Sequence, residues 1–225
     1  MKLRDLILIF RTDADDFGDP QLWSDADITR YLNEAEEEAA VRKHLLYDDY
    51  TTALTQITFP TGTARLKRDP RMFEVTKAYV ALPGLNRHPE RLHIWDRDTL
   101  DARLPNWRRE RGRPDVIVIE DTSITLAGAI ERPYVVNLEG YRLPLEPMRV
   151  EDLETAEPEI APIHHRQLVH WALHRGYQKP DSETLNPNKA TSALADFEEY
   201  FGYRNQANQG ERNQHGDGVH YNKAW

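Results

Sequence analysis

Apolar residues at Leu3, Leu6, Ile7 and Phe10 recur at helical spacing, so the chain is expected to open with a helix over Leu3 to Arg11. Asp13 to Pro20 breaks it, with Gly18 and Pro20 as punctuation. Ser24 then stands as an N-cap, and Asp25 and Asp27 fall in a first turn, where the helix dipole favours anions. Ile28, Leu32, Ala35, Ala39 and Leu46 follow roughly along one face, opposite Glu34, Glu36, Glu37, Glu38, Arg42 and Lys43. The pattern predicts an amphipathic helix from about Asp25 to Tyr47. Its small residues Ala35, Ala39 and Ala40 suit close packing against another helix.

The period then changes. Thr51 to Phe59 is rich in threonine and β-branched residues and ends at Pro60. Thr63 to Arg68, Phe73 to Val80, Arg91 to Trp95, Asp115 to Glu120, Ser123 to Ile130 and Tyr134 to Tyr141 also read as short strands. Turn signals such as Asp69-Pro70, Pro83-Gly84 and Arg132-Pro133 separate them. Short strands at this spacing predict a small antiparallel barrel or sandwich. The polar stretch Asp98 to Gly112 is expected as a loop over it. Glu146 to Glu159 is expected as a solvated linker.

Helical spacing returns after Pro162, where His165, Leu168, Val169, Ala172 and Leu173 carry a stripe to about Tyr177. A last helix is expected from about Pro187 to Tyr200, with Ala190, Leu194, Phe197 and Phe201 on its buried side and Gly202 as C-cap. Tyr203 to Trp225 has no periodicity and is rich in Asn, Gln, Gly and His, a composition that buries too little apolar area to order itself. The expected fold is therefore α+β. Residues 1–50 and 151–202 supply the two parts of a helical bundle, 51–150 an inserted β domain, and 203–225 an extended C-terminal tail.

Composition narrows the function classes. Thirty-eight acidic residues against 29 basic ones leave a net charge of −9. That argues against a protein that grips phosphates over its whole surface, while an acidic wall repels DNA and lets it pass. The absence of cysteine excludes disulfide scaffolds, zinc ribbons and thiol nucleophiles. The apolar run Leu6 to Phe10 is too short for a secretory core or a bilayer span, so a soluble protein of the cytoplasm is expected.

Three segments carry a resemblance. They are Leu3-Arg4-Asp5-Leu6 with Leu22 to Ile28 and Leu32 to Ala39, then His164 to Leu173, then Ala195 to Gly202. In these the chain resembles the head-to-tail adaptor (connector, or head-completion) proteins of tailed bacteriophages. The resemblance implies a structural virion protein of the neck, assembled in the host cytoplasm and not an enzyme. It implies a ring of about twelve copies under the portal, contacts to tail or nozzle proteins, and genomic DNA passing through the lumen without sequence-specific binding. It also implies a C-terminal extension that grips the portal, which makes Tyr203, Arg204, Arg212, Tyr221, Lys223 and Trp225 the expected portal-binding residues. Tyr and Trp are suited to this because they bring large contact area for few lost rotamers. Glu34, Glu37, Glu38 and Arg42 on the long helix, with Arg108, Arg109 and Arg111, are the expected inter-subunit residues.

Chemistry-bearing clusters give weaker signals. His170 and His174 are four apart, with His164 and His165 upstream, a spacing that suits a shared metal. No HExxH surrounds them, so packing or interface histidines are expected, with no metal and no cofactor. Glu120, Asp121, Glu131, Glu139, Glu151, Asp152, Glu154, Glu157 and Glu159 offer many carboxylate pairs, and a glycosidase needs two held in a cleft. Arg103, Trp107, Arg108, Arg109, Arg111 and Arg113 form a basic stretch beside an aromatic, which suits a nucleic-acid backbone or an acidic neighbour. No phosphate-cradling glycine loop and no GxSxG are present. Two alternatives to the adaptor stand on these clusters: a small cell-wall-degrading hydrolase using paired carboxylates, and a DNA-binding module around Trp107. No catalytic residue is assigned.

Overall fold

The computed structural model describes residues 1–81, 89–181 and 183–204. These fall into two units, Met1–Leu46 with Arg142–Tyr203, and Tyr47–Tyr141 together with Arg204. The fold class is α+β, with helices at both ends and a curled mixed sheet, a half-barrel, in the middle.

The first unit is helical. α1 (Leu3–Ala14) buries Leu3, Leu6, Ile7, Phe10 and Ala14, the stripe that its spacing marks. It runs nearly a turn past its expected end and stops where Asp15 takes left-handed backbone at φ 59. Arg11 is drawn inside with it. Its buried guanidinium donates to Asp16 at 2.6 Å and to Asp25 at 2.5 Å, and Asp16 also accepts from the Leu22 amide at 2.8 Å. The two carboxylates satisfy a cation that would be costly to bury alone, and the Leu22 amide bonded to Asp16 ties this cluster to the connection into the next helix.

α2 (Asp25–Lys43) is capped as expected, with Ser24 Oγ accepting from the Asp27 amide at 3.1 Å. It ends four residues short of Tyr47, because His44 turns left-handed at φ 52 and sends its N–H to the Ala40 carbonyl. A 3₁₀ segment (Pro162–Gln167) leads into α5 (Leu168–Gly176), and α6 is Pro187–Phe201. α5 packs on α1, α2 and α6. Ala35, Ala39 and Ala172 are fully buried, as are Phe10, Leu32, Leu168 and Phe197. Burying one large side chain of this kind stabilises by about 1.5–3 kcal/mol.

The acidic stretch expected as a solvated linker is partly anchored. The Asn33 amide exchanges two hydrogen bonds with the Met148 backbone, at 3.0 and 2.9 Å. Met148 and Ile160 join the helical core, and a short 3₁₀ turn forms at Val150–Asp152.

The second unit is built on a sheet of β1 (Tyr47–Asp48), β2 (Gln56–Phe59), β3 (Arg65–Lys67), β4 (Met72–Ala81), β5 (Glu90–Trp95), β6 (Val116–Ile119), β7 (Ser123–Leu126) and β8 (Tyr134–Arg142). Its order is β1-β8-β4-β5-β6-β7-β3, with β2 also on β8. One turn of helix, α3 (Thr52–Thr55), replaces the first half of the strand expected over Thr51 to Phe59. β8 alternates buried and half-buried positions along its length, as a strand with one face on the core does. At Gly140 the β4 backbone comes so close that an added Cβ would lie 2.0 Å from the Glu74 carbonyl oxygen.

The sheet is mixed rather than wholly antiparallel, since β5 and β6 run parallel, with His93 opposite Val116. A parallel neighbour needs a crossover, and the polar stretch expected as a loop supplies it. α4 (Arg97–Arg103) and a 3₁₀ turn (Trp107–Arg109) fill that span. Leu100 and Trp107 from these turns pack on Val116, Val118 and Ala127. The segment reads as a loop in the sequence because only Leu100 and Trp107 are buried, with Leu104 packed beside them, among charged and polar neighbours.

Candidate functional site

The expected contact residues are placed in three regions. The first is the end of the bundle from which the chain continues beyond α6. Arg42, with a side chain only 5% exposed, pairs with Glu38 at 3.1 Å and Glu198 at 3.3 Å, and donates to the Gly202 carbonyl at 2.9 Å. Its guanidinium lies over the rings of Trp171 (5.5 Å) and Phe197 (5.2 Å). Lys43 lies 4.3 Å from the centre of the Tyr200 ring. The two basic residues of the last turn of α2 thus hold the last turn of α6. Two residues beyond it, after the Gly202 cap, Tyr203 is 77% exposed. Arg204 is also described and exposed. Arg212, Tyr221, Lys223 and Trp225 lie outside the described residues.

The second region is the acidic face of α2. Glu34 pairs with Arg175 at 2.8 Å, and Glu38 is held by Arg42. Glu37 stands exposed, and partial desolvation, then Glu34 and Glu38, raise its carboxyl above the usual range. Arg42 is therefore committed inside its own chain, whereas Glu37 faces outward.

The third region is the arginine stretch of the sheet unit. Trp107 is buried, and its indole N–H donates to Asp101 at 2.7 Å. The Arg108 guanidinium sits 4.3 Å from the centre of the Trp107 ring, and that of Arg103 sits 5.2 Å from the centre of the Trp95 ring. Arg108 pairs with Asp101 at 3.3 Å and Arg111 with Glu131 at 3.3 Å. Arg97 pairs with Glu120, and Arg113 with Glu90. With its indole covered, Trp107 offers no ring to a nucleic-acid base, which removes the stacking platform that a DNA-binding module there would use.

The histidines are placed in packing roles. His174 Nδ1 donates to the Ala190 carbonyl at 2.8 Å, His165 Nε2 donates to the Ile160 carbonyl at 2.8 Å, and His164 bonds the Tyr200 hydroxyl at 3.0 Å. His170 is 3.8 Å from Asp196, and burial lowers its pKa. Among the described residues no group of three His, Cys, Asp or Glu is arranged to hold a metal ion.

Two of the carboxylates considered for hydrolysis, Glu120 and Glu139, are tied to neighbours. Glu120 accepts from Ser123, Arg97 and Arg65, in that order of effect, and its pKa falls. Glu139 is lowered by Lys77 and then Tyr47. A general acid needs the opposite shift. The carboxyl raised furthest is Glu36, pushed to about 7 by burial despite accepting the Glu159 and Ile160 amides at 2.5 and 3.2 Å. Glu36 faces backbone in the interior and not a cleft.

Glu36 departs from expectation: the polar face expected for α2 includes it, but the structure buries it to 2% exposure. It stands four residues after Leu32 and four before Ala40, on the buried stripe, and that spacing is the one signal of its burial. The Arg142–Glu159 pair at 2.5 Å, with Arg142 buried, left no trace in the pattern.

Comparison with known families matches residues 1–219 to the model described as SU10 adaptor protein. No curated protein matches the chain.

Proposed function

The chain belongs to the SU10 adaptor protein family, structural adaptors of phage head-tail connector type, and from that premise we propose that it forms a ring beneath the portal of a tailed phage. The match over residues 1–219 carries this reading, since it takes in both ends of the bundle and the inserted sheet alike. About twelve copies close the ring, each subunit meeting the next through two unlike patches. The ring joins the portal to the tail or nozzle proteins in the neck of the virion, and genomic DNA passes through its lumen.

Residues from Tyr203 onward dock on the portal, with Tyr203, Arg204, Arg212, Tyr221, Lys223 and Trp225 as anchors. What supports this is the end of α6. Arg42 and Lys43 fix its last turn, and exposed Tyr203 follows directly. A rigid departure point shortens the search of the segment beyond it. Lateral contact draws on Arg108, Arg109 and Arg111 and on exposed Glu37, with Glu34 and Glu38 beside it on α2 keeping their pairs to Arg175 and Arg42, and Arg42 serves by holding Glu38 and α6.

Native mass spectrometry of the full chain and of a version ending at Gly202, each mixed with the portal protein of the same genome, tests the proposal. Capture of about twelve copies by the portal, lost on truncation, is the expected result. A full chain that stays a 26.2 kDa monomer in the presence of the portal overturns it.

A further inference from the structure

We infer that the arginine face of the sheet unit, Arg103, Arg108 and Arg109, docks on the acidic connection Glu146–Glu157 of a second copy of this chain; the inference rests on the ring reading above and names the patches that meet.

The arginine face is built to be presented. Asp96 caps α4 by accepting from the Thr99 amide at 2.7 Å, and buried Leu100 and Trp107 fix the crossover to the sheet. Arg103 and Arg108 lie over Trp95 and Trp107, and both rings pack in one apolar cluster. Arg108 is 62% exposed. Arg103 and Arg109 are exposed, and neither has a carboxylate within ion-pair distance among the described residues. Cations already ordered on aromatic rings lose little rotamer freedom when they bind.

The complement is on the same chain. Between Glu146 and Glu157 stand Glu146, Glu151, Asp152, Glu154 and Glu157 against the single base Arg149. Glu154 is taken by Arg4, while Glu146, Glu151 and Asp152 are exposed. A pocket of about 300 Å³ opens here, lined by Glu146, Asp152 and Glu157 with Met148 and Ala156. An arginine entering it would lay its methylenes on the apolar side chains and its fork on the acids. The acids of α2 fit the role less well, since Glu34 and Glu38 already hold Arg175 and Arg42.

DNA is the weaker partner for the arginine face. Asp98, Asp101 and Glu110 are interspersed among the arginines and would oppose a continuous run of phosphates, and Trp107 is closed to bases. Because the two patches differ, each copy receives one neighbour and docks on another, which closes a ring when the rotation allows.

The test uses the full chain with its portal. Arg103→Glu with Arg109→Glu, and Glu146→Arg with Asp152→Arg, are each expected to lower the assembled fraction about tenfold, and all four together to restore it to within about twofold. Since the chain has no cysteine, Arg109→Cys with Asp152→Cys is expected to give a ladder of disulfide-linked oligomers on oxidation. Circular dichroism melts check that the variants fold. Reversals that assemble like the wild type, a fourfold swap no better than either pair, or no ladder overturns this contact and leaves the ring standing. A wild type that never assembles on the portal removes the ring and this contact together. Loss of affinity for a duplex of about 30 base pairs in the Arg103/Arg109 variant, with assembly intact, assigns the face to DNA instead.

Discussion

The indole N–H of Trp23 donates to the Gly176 carbonyl at 3.1 Å, joining positions 153 apart in the chain. Trp23 stands just before α2 and Gly176 is the last residue of α5. Phe10 and Tyr177 meet the indole edge-on, at centroid distances of 5.4 and 5.7 Å. A methyl group would crowd the site, since an added Cβ at Gly176 would lie 3.0 Å from Phe10 Cζ and 3.2 Å from Trp23 Nε1, so that both rings must give by a few tenths of an ångström.

Gly176→Ala is therefore expected to destabilise the helical unit. Helix propensity alone would favour Ala by under about 1 kcal/mol, and crowding of Phe10 and Trp23 opposes it by about 1–3 kcal/mol. Chemical denaturation followed by tryptophan fluorescence measures the net loss. A variant more stable than the wild type would show that the rings move aside freely.

Glu36 makes stability depend on pH. Burial raises its carboxyl from an ordinary 4.5 to about 7, so between these values the folded chain holds the proton more tightly than the unfolded one. Its contribution is complete below pH 4.5 and is lost as pH rises through 7, a total of about 3 kcal/mol. Gln at this position stays neutral and still accepts the two amides. Glu36→Gln is expected to melt close to the wild type at pH 4 and about 5 °C or more above it at pH 8. Melting curves that run parallel across this range would exclude the effect.

Arg42 holds three acceptors from inside the bundle. Arg42→Met keeps much of the stem but leaves Glu38, Glu198 and the Gly202 carbonyl without their donor. The expected loss is about 3 kcal/mol, in the range for removing one partner of a buried ion pair. Arg42→Lys is expected to recover less than half, because a single ammonium cannot reach all three acceptors in the fork geometry of a guanidinium. Thermal melts of both variants decide it, and a Lys variant equal to the wild type would reduce the site to a simple charge.

Gly140→Ala is expected to prevent the sheet from closing at the β4–β8 pair. The added carbon would fall on backbone, 2.0 Å from Glu74 O and 2.8 Å from Val75 Cα, and backbone cannot rotate out of the way. The loss should exceed about 3 kcal/mol. Limited proteolysis reads it as new cleavage within residues 47–141. An uncut sheet with normal melting would refute the close approach.

Helices and caps were readable locally because their signals are local. Ser24, Gly202 and the stripes on α1 and α6 act within a turn or two of themselves. Most strand ends fall within two residues of expectation for the same reason, as period and turn residues mark them, while the strands expected over Thr51 to Phe59 and Ser123 to Ile130 are each shorter, at Gln56–Phe59 and Ser123–Leu126. The crossover was missed because its helical turns bury only Leu100 and Trp107 among charged neighbours.

The sequence alone determined the alternation of helices and strands, the acidic balance and the absence of cysteine chemistry. Pattern and composition act over short distances or over the whole chain at once, and so survive without a fold. Only the tertiary structure decided which charges are free. Glu38 and Arg42 look alike available on a helical wheel, yet one turn of α6 brings Glu198 and Gly202 to Arg42 from more than 150 residues away. Whether an arginine is a surface contact or an internal clamp depends on such distant partners, since burial and pairing are set by packing and not by neighbours in the chain.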